Sequence, residues 1–227
     1  KCFFVSQGNR ELFEKQIAHR LPNSAIVRCP FNVSWDAHCP WPDGAAAEWR
    51  LAVVGRLEPA VKGQDLVIEV LARPEWRERP VFVSIYGVGR SRETLVRLAS
   101  LYGVSDRVRF CGHVENMEAV WATHHALVMP SRADGLPLVT AEAMLCARPV
   151  IATDVAGTRE LLDDGVTGFI AEAPTVELLA AAMERAWIRR SDWPAMGAEA
   201  SRRVRERVPQ DPAGVFAATL VQIAAGV

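Results

Sequence analysis

Leu51-Ala52-Val53-Val54-Gly55-Arg56-Leu57-Glu58-Pro59-Ala60-Val61-Lys62-Gly63 is the stretch that decides the fold. Four apolar residues run into a glycine and a polar loop, which describes a buried strand ending in a turn. Short runs of the same kind recur at 81–86, 108–111, 126–129, 150–153 and 168–171. Between them Leu95, Leu98 and Tyr102, and then Met117, Val120, Trp121 and His124, return every three or four residues, as one face of a helix requires. Ser91 and Asn116 stand where N-caps belong. This alternation predicts βαβ units, hence an α/β fold with a Rossmann-like, doubly wound parallel sheet of about six strands.

Outward from that block the pattern changes on both sides. Beyond Pro174, residues 176–190, 192–207 and 212–225 all read as helices with no strand between them, a C-terminal helical tail. Before it, residues 3–6, 11–20 and 25–29 read as strand, helix and strand. Pro30, Pro40, Pro42, Asp43 and Gly44 then break regular structure, so 30–49 reads as a linker. The expected division is 1–49 as the end of a preceding domain plus linker, 50–174 as the sheet domain, and 175–227 as helices packing on it. The chain begins at Lys1 and runs directly into a strand-like segment, which reads as a piece of a longer protein.

Composition bounds the function. Of 227 residues half are hydrophobic and 23% charged, as in folded globular domains. Lys and Arg number 26 against 27 Asp and Glu, so the net charge of -1 supplies no field for a nucleic acid. The five cysteines are odd in number and lack a C-x-x-C pair, which argues against a disulfide framework or zinc ribbon and for a reducing compartment. No apolar run approaches the roughly 20 residues of a membrane span. The chain reads as cytoplasmic, with any peripheral membrane attachment left to a part outside it. His124 and His125 are adjacent and cannot share a helix face, so no metal pair is expected there. Gly87-Val88-Gly89 has Arg92 where a dinucleotide fingerprint needs its third glycine. The seven tryptophans are scattered and read as packing or interdomain contacts.

Two constellations carry chemistry. In the loop after 51–54, Arg56 offers a planar fork of donors and Lys62 a compact ammonium, a combination suited to adjacent phosphates. Taken alone, they read equally as a solvated pair on a surface loop. After 126–129 comes Ser131-Arg132-Ala133-Asp134-Gly135-Leu136-Pro137-Leu138-Val139-Thr140-Ala141-Glu142. Gly135 permits an unusual backbone, Pro137 suits a helix start, and free amides of that first turn favour an anion. Glu142 comes one turn later, where a carboxylate can accept hydrogen bonds from ribose hydroxyls. Alone, Asp134 also reads as a capping acid and Glu142 as a surface acid.

Taken together, Gly55-Arg56, Lys62-Gly63 and the Asp134…Glu142 spacing resemble the large retaining group called glycosyltransferase family four. The resemblance continues through Phe110-Cys111-Gly112-His113-Val114, Glu142-Ala143-Met144, Pro149-Val150-Ile151-Ala152 and Asp164-Gly165-Val166-Thr167-Gly168. It implies one half of a GT-B fold and a nucleoside-diphosphate sugar as substrate, with no metal or other cofactor. It further implies that Arg56 and Lys62 bind the diphosphate, Glu142 the ribose and Asp134 the transferred sugar, with Gly55 among the residues that contact the substrate. By the same resemblance Gly135, Leu136, Leu138 and Val139 cradle pyrophosphate and sugar, while Gly87, His113 and Val114 lie near the base. The acceptor-holding domain would be a separate N-terminal partner, without which this chain would bind donor but not transfer it. Two departures stand out: Asp134 replaces the family's usual Glu, and Ala147-Arg148 replaces a usual Gly before Pro149, which predicts an altered helix end. A nucleotide-sugar epimerase of related architecture and a non-catalytic nucleotide-binding module are the alternatives.

Overall fold

The computed structural model describes residues 1–42 and 48–225; the part of the expected linker at 43–47 lies outside the described residues. β1 (Cys2–Phe4), α1 (Gln7–Gln16) and β2 (Ser24–Ile26) come first, with β1 and β2 paired in parallel. Residues 27–42 come next, without helix or strand. The main body begins with β3 (Trp49–Val54), α2 (Pro59–Lys62), α3 (Gln64–Ala72), α4 (Pro74–Arg77) and β4 (Val81–Tyr86). It continues with α5 (Arg92–Leu101), β5 (Val108–Gly112), α6 (Met117–Trp121), β6 (Ala126–Met129) and α7 (Leu138–Leu145). β7 (Val150–Thr153), α8 (Thr158–Leu161) and β8 (Gly168–Ala171) complete the sheet, and α9 (Val176–Ile188), α10 (Trp193–Arg207) and α11 (Pro212–Ala224) end the chain.

Six strands form one parallel sheet in the order β5-β4-β3-β6-β7-β8. The chain builds outward from β3 to β5, returns, and builds outward again from β6 to β8. The order therefore reverses between β3 and β6, and in open α/β sheets ligands bind outside the carboxyl ends of the strands at such a point. Both faces are covered: Leu51 and Val53 of β3 belong to the layer of α3, α5 and α9, and Ala52 to the layer of α6 and α7. A strand's period of two makes this split automatic. α10 joins the layers, starting in the first with Trp193 and Met196 and reaching the second with Ala200 and Val204.

Several elements differ from the sequence expectation, each for a physical reason. Trp49 and Arg50 already belong to β3, so the linker ends sooner than residue 49. α1 starts at Gln7 rather than residue 11 because the Ser6 hydroxyl accepts the Asn9 N–H at 3.0 Å, and it ends before Ala18, whose φ is 50°. α3 was not legible as a helix. Six of its residues, Gln64, Leu66, Val67, Ile68, Val70 and Leu71, are buried, and its polar face is reduced to a narrow stripe carrying Asp65 and Glu69, too little to stand out among the apolar residues. Ser91 occupies the N-cap of α5 without a capping side-chain bond, whereas Asn116 accepts the Ala119 N–H at 3.0 Å. After α7, Ala147 takes φ 56°, so the left-handed turn expected of a glycine is made by alanine.

Candidate functional site

A cleft of about 700 Å³ opens at the carboxyl ends of β3 and β6, beside the reversal of strand order. Gly55, Arg56, Lys62, Gly87, His113, Val114, Asp134, Leu136, Leu138, Val139 and Glu142 all line it. They come from separate loops and the first turns of α7, far apart in sequence. Asn32, Tyr86, Val88, Glu115, Met117 and Pro137 line it too, and sequence reasoning missed them.

The loops are fixed to one another before any ligand arrives. Gly63 closes α2 with φ 64°, and a side chain there would collide with the Pro130 carbonyl oxygen. Glycine is thus needed both for its backbone and for the close approach that brings the Lys62 loop beside the Asp134 loop. The amides of Arg132 and Ala133 donate to the Val61 carbonyl at 2.8 and 3.1 Å, and Arg132 grips Asp65 through two bonds of 2.6 and 2.8 Å. Gln64, fully buried, donates from Nε2 to the Arg56 carbonyl at 2.7 Å and so sets the turn that presents Arg56. Across the cleft, a side chain on Gly87 (φ 131°) would strike the Gly55 carbonyl oxygen, so the β3 and β4 loops touch backbone to backbone.

The charges are unevenly committed. Lys62 Nζ lies 2.5 Å from Asp134 Oδ2, a pair of which only 23% and 15% of the side chains is exposed. Arg56 is 74% exposed and its ion pair is with Glu58, at 3.3 Å. An incoming anion therefore finds a long guanidinium side chain held only loosely and an ammonium already neutralised. Glu142 is 3% exposed, and its Oε1 accepts from the Asn32 backbone N–H at 2.9 Å and the Asn32 Nδ2 at 3.0 Å. Burial raises the Glu142 carboxyl above its ordinary value of 4.5, and the two bonds from Asn32 pull it partly back. Burial likewise pushes the Tyr86 phenol up to about 12, so it stays a neutral donor on the wall of the cleft.

Gly135 departs from the expectation. It is not among the residues of positive φ, and it does not line the cleft. Its N–H donates to Asp134 Oδ1 at 3.0 Å, and its carbonyl accepts from the Ser6 hydroxyl at 2.8 Å. An added Cβ would sit 2.7 Å from Val5 Cγ2, so glycine here permits the β1–α1 turn to close on the loop. No sequence signal marked Asn32: its partner lies 110 positions away and only the folded path of 27–42 unites them.

Fold and cleft together define a doubly wound α/β domain of the GT-B kind, with two cations and a buried carboxylate at the switch point. The chain belongs to the family described as "Glycosyl transferases group 1", which matches residues 48–188. Among curated relatives, the GDP-mannose-dependent alpha-(1-6)-phosphatidylinositol monomannoside mannosyltransferase of Mycolicibacterium smegmatis is 32% identical over 203 residues, covering 79% of this chain and 51% of its own. The D-inositol 3-phosphate glycosyltransferase of Geodermatophilus obscurus is 32% identical over 192 residues, covering 74% and 41%. The chain thus spans about half the length of these relatives. Of solved structures, sucrose-phosphate synthase from Thermosynechococcus elongatus superposes with a TM-score of 0.82 at 20% identity, covering all of this chain and 59% of that one. Anabaena HepE in complex with UDP and glucose gives 0.81 at 22%, covering 96% and 62%. These likenesses confirm the fold. No helix among the described residues is long and apolar enough to cross a membrane.

Proposed function

We propose that this chain is the donor-binding portion of a retaining glycosyltransferase, holding a nucleoside-diphosphate sugar in the cleft between the β3 and β6 loops. The observation that carries the reading is the convergence of Arg56, Lys62, Asp134 and Glu142 on one cleft at the switch point of the sheet. As the glycosidic bond to phosphate breaks, negative charge grows on the leaving diphosphate and positive charge on the sugar ring. Arg56, Lys62 and the amides opening α7 stabilise the former in the manner of preorganised donors. Asp134, released from Lys62 by the diphosphate, turns to the sugar hydroxyls. Glu142 accepts from the ribose, and the wall of Gly87, His113 and Val114 holds the base. The relatives' GDP-mannose and the UDP of HepE make guanine and uracil nucleotides the first to test.

The acceptor is held by a surface outside this chain, so bound donor alone is not enough for transfer. Positioning of two reactants is worth up to about 7–11 kcal/mol of barrier, and without it only slow hydrolysis by water remains. The test is a labelled-donor assay on this chain alone and on the same chain joined to the polypeptide that precedes it in its gene. Transfer is expected only from the joined form. Turnover by the shorter chain at the rate of the longer would overturn the assignment of acceptor binding to a separate part.

A further inference from the structure

We propose that Asn32, on the segment between β2 and β3, is a positioning residue for ribose recognition that makes the fold of that segment a partner in donor binding. The proposal rests on the reading of the cleft as a nucleoside-diphosphate site. Asn32 saturates one oxygen of Glu142 with two hydrogen bonds, 2.9 Å from its backbone and 3.0 Å from its side chain. Glu142 Oε2 carries no hydrogen bond to protein among the described residues, and the residue lines the cleft. A carboxylate at 3% exposure is ordinarily paired with a cation, yet here the partner is a neutral amide. That arrangement orients the carboxylate without neutralising it, and leaves one oxygen for hydroxyl donors.

Asn32 is itself held from several elements. Val33 and Ala37 are buried in the same apolar layer as α7, and Phe31 stacks on Trp35 at 6.0 Å. The Ser34 N–H donates to Glu118 Oε1 on α6 at 2.7 Å, and Arg205 of α10 donates to the Trp35 carbonyl at 2.7 Å. Arg148, buried in the turn before β7, donates to the Trp121, His124, Cys146 and Pro40 carbonyls and pins the far end of the segment. Lifting the segment would strip Glu142 of these donors. Coupling between two events is reciprocal, so ribose bound to Glu142 tightens the segment by the factor by which the ordered segment tightens ribose.

Two readouts test this on the intact chain. Carbon NMR of the glutamate carboxyl groups follows Glu142 through a pH titration, identified by its loss in Glu142→Gln, in the parent and in Asn32→Ala. The variant loses a donor to the carboxylate, so the Glu142 titration is expected to move further up. Arg56, Lys62, His113, Glu115 and Asp134 line the same cleft in both proteins, and the difference isolates Asn32. Calorimetry with GDP and UDP and with their 2′-deoxy and 3′-deoxy forms gives the second readout. Asn32→Ala is expected to weaken the ribonucleotide about tenfold while leaving the deoxy forms nearly unchanged, and Asn32→Ser to recover part of the loss. An unchanged ratio, or equal losses for ribo and deoxy forms, overturns the positioning role and leaves Asn32 a structural contact. A parent protein that binds none of the nucleotides is a different result: it fails the donor reading itself, and the proposal with it, whatever the NMR shows.

Discussion

Lys62 meets the cleft with its counter-ion already in place, and this decides what each substitution does. While Asp134 lies 2.5 Å from Nζ, a diphosphate must compete for the ammonium. Asp134→Asn removes the competitor. Nucleoside diphosphate is expected to bind about 1 kcal/mol tighter, the upper end for a partly exposed pair, while the extra affinity contributed by the sugar falls. Calorimetry with the diphosphate and its sugar conjugate separates the two, and weaker binding of both would contradict the exchange. Glu142 lowers the stability of the fold by its position. Its folded carboxyl titrates above the value of 4.5 taken for an unburied one, chiefly through desolvation, so ionising it costs the folded state more than the unfolded. The cost is absent below pH 4.5, grows as pH rises through the folded value, and is constant above it. Glu142→Gln keeps an acceptor for Asn32 and is therefore expected to raise the melting temperature of the free protein at neutral pH. That gain should vanish on acidification to pH 4.5, and preference for ribose should be lost. A variant less stable at neutral pH would contradict the assignment of desolvation as the dominant effect.

At the scale of elements, the turn from α7 to β7 shows how a fold absorbs an unfavourable residue. Ala147 adopts φ 56°, a conformation that costs an L-residue roughly 1–2 kcal/mol. Its neighbour keeps it there: Arg148, 1% exposed, satisfies carbonyls of α6, the turn itself and the segment before β3. Gly197 of α10 comes so close that a side chain on it would strike the Ala147 carbonyl oxygen. The sequence expectation of an altered helix end overlooked these anchors, which reach across the fold. Ala147→Gly relieves the strain at some cost in unfolded-state entropy, for a net gain of about 0.5–1 kcal/mol. A higher denaturant midpoint at unchanged slope checks it; no gain would mean the turn is unstrained. The six strands, by contrast, were legible within two residues because each is a short apolar run in a sheet covered on both faces. α3 escaped notice because burial over most of its circumference leaves only a narrow polar stripe, with Asp65 and Glu69, to reveal its period. α1 was displaced because Ser6, an ordinary serine in sequence, is its cap.

Over the whole molecule, stability and chemistry occupy opposite ends of the sheet. At the start of β3, Trp49 packs edge-on against Trp193 at 5.0 Å and Trp187 at 6.2 Å and lies 5.0 Å from His125, so tryptophans that looked scattered in sequence make one aromatic floor. Burial holds the His125 imidazole down to about 4, which keeps it neutral within that floor. At the other end, loops set by backbone contacts and the Arg132–Asp65 pair present the charged groups. The paired motifs made this cleft readable in advance. Asn32 was not, since its contribution depends on a return of the chain that only the folded path of 27–42 supplies. The central claim is that Arg56 and Lys62 hold the diphosphate of a donor. The most direct measurement is calorimetric titration of GDP and UDP into the parent, Arg56→Ala and Lys62→Ala. At least one nucleotide is expected to bind the parent, and each variant to bind it about 1.5–3 kcal/mol more weakly, the range for hydrogen bonds to charged groups. Binding by both variants as tight as by the parent would contradict the claim.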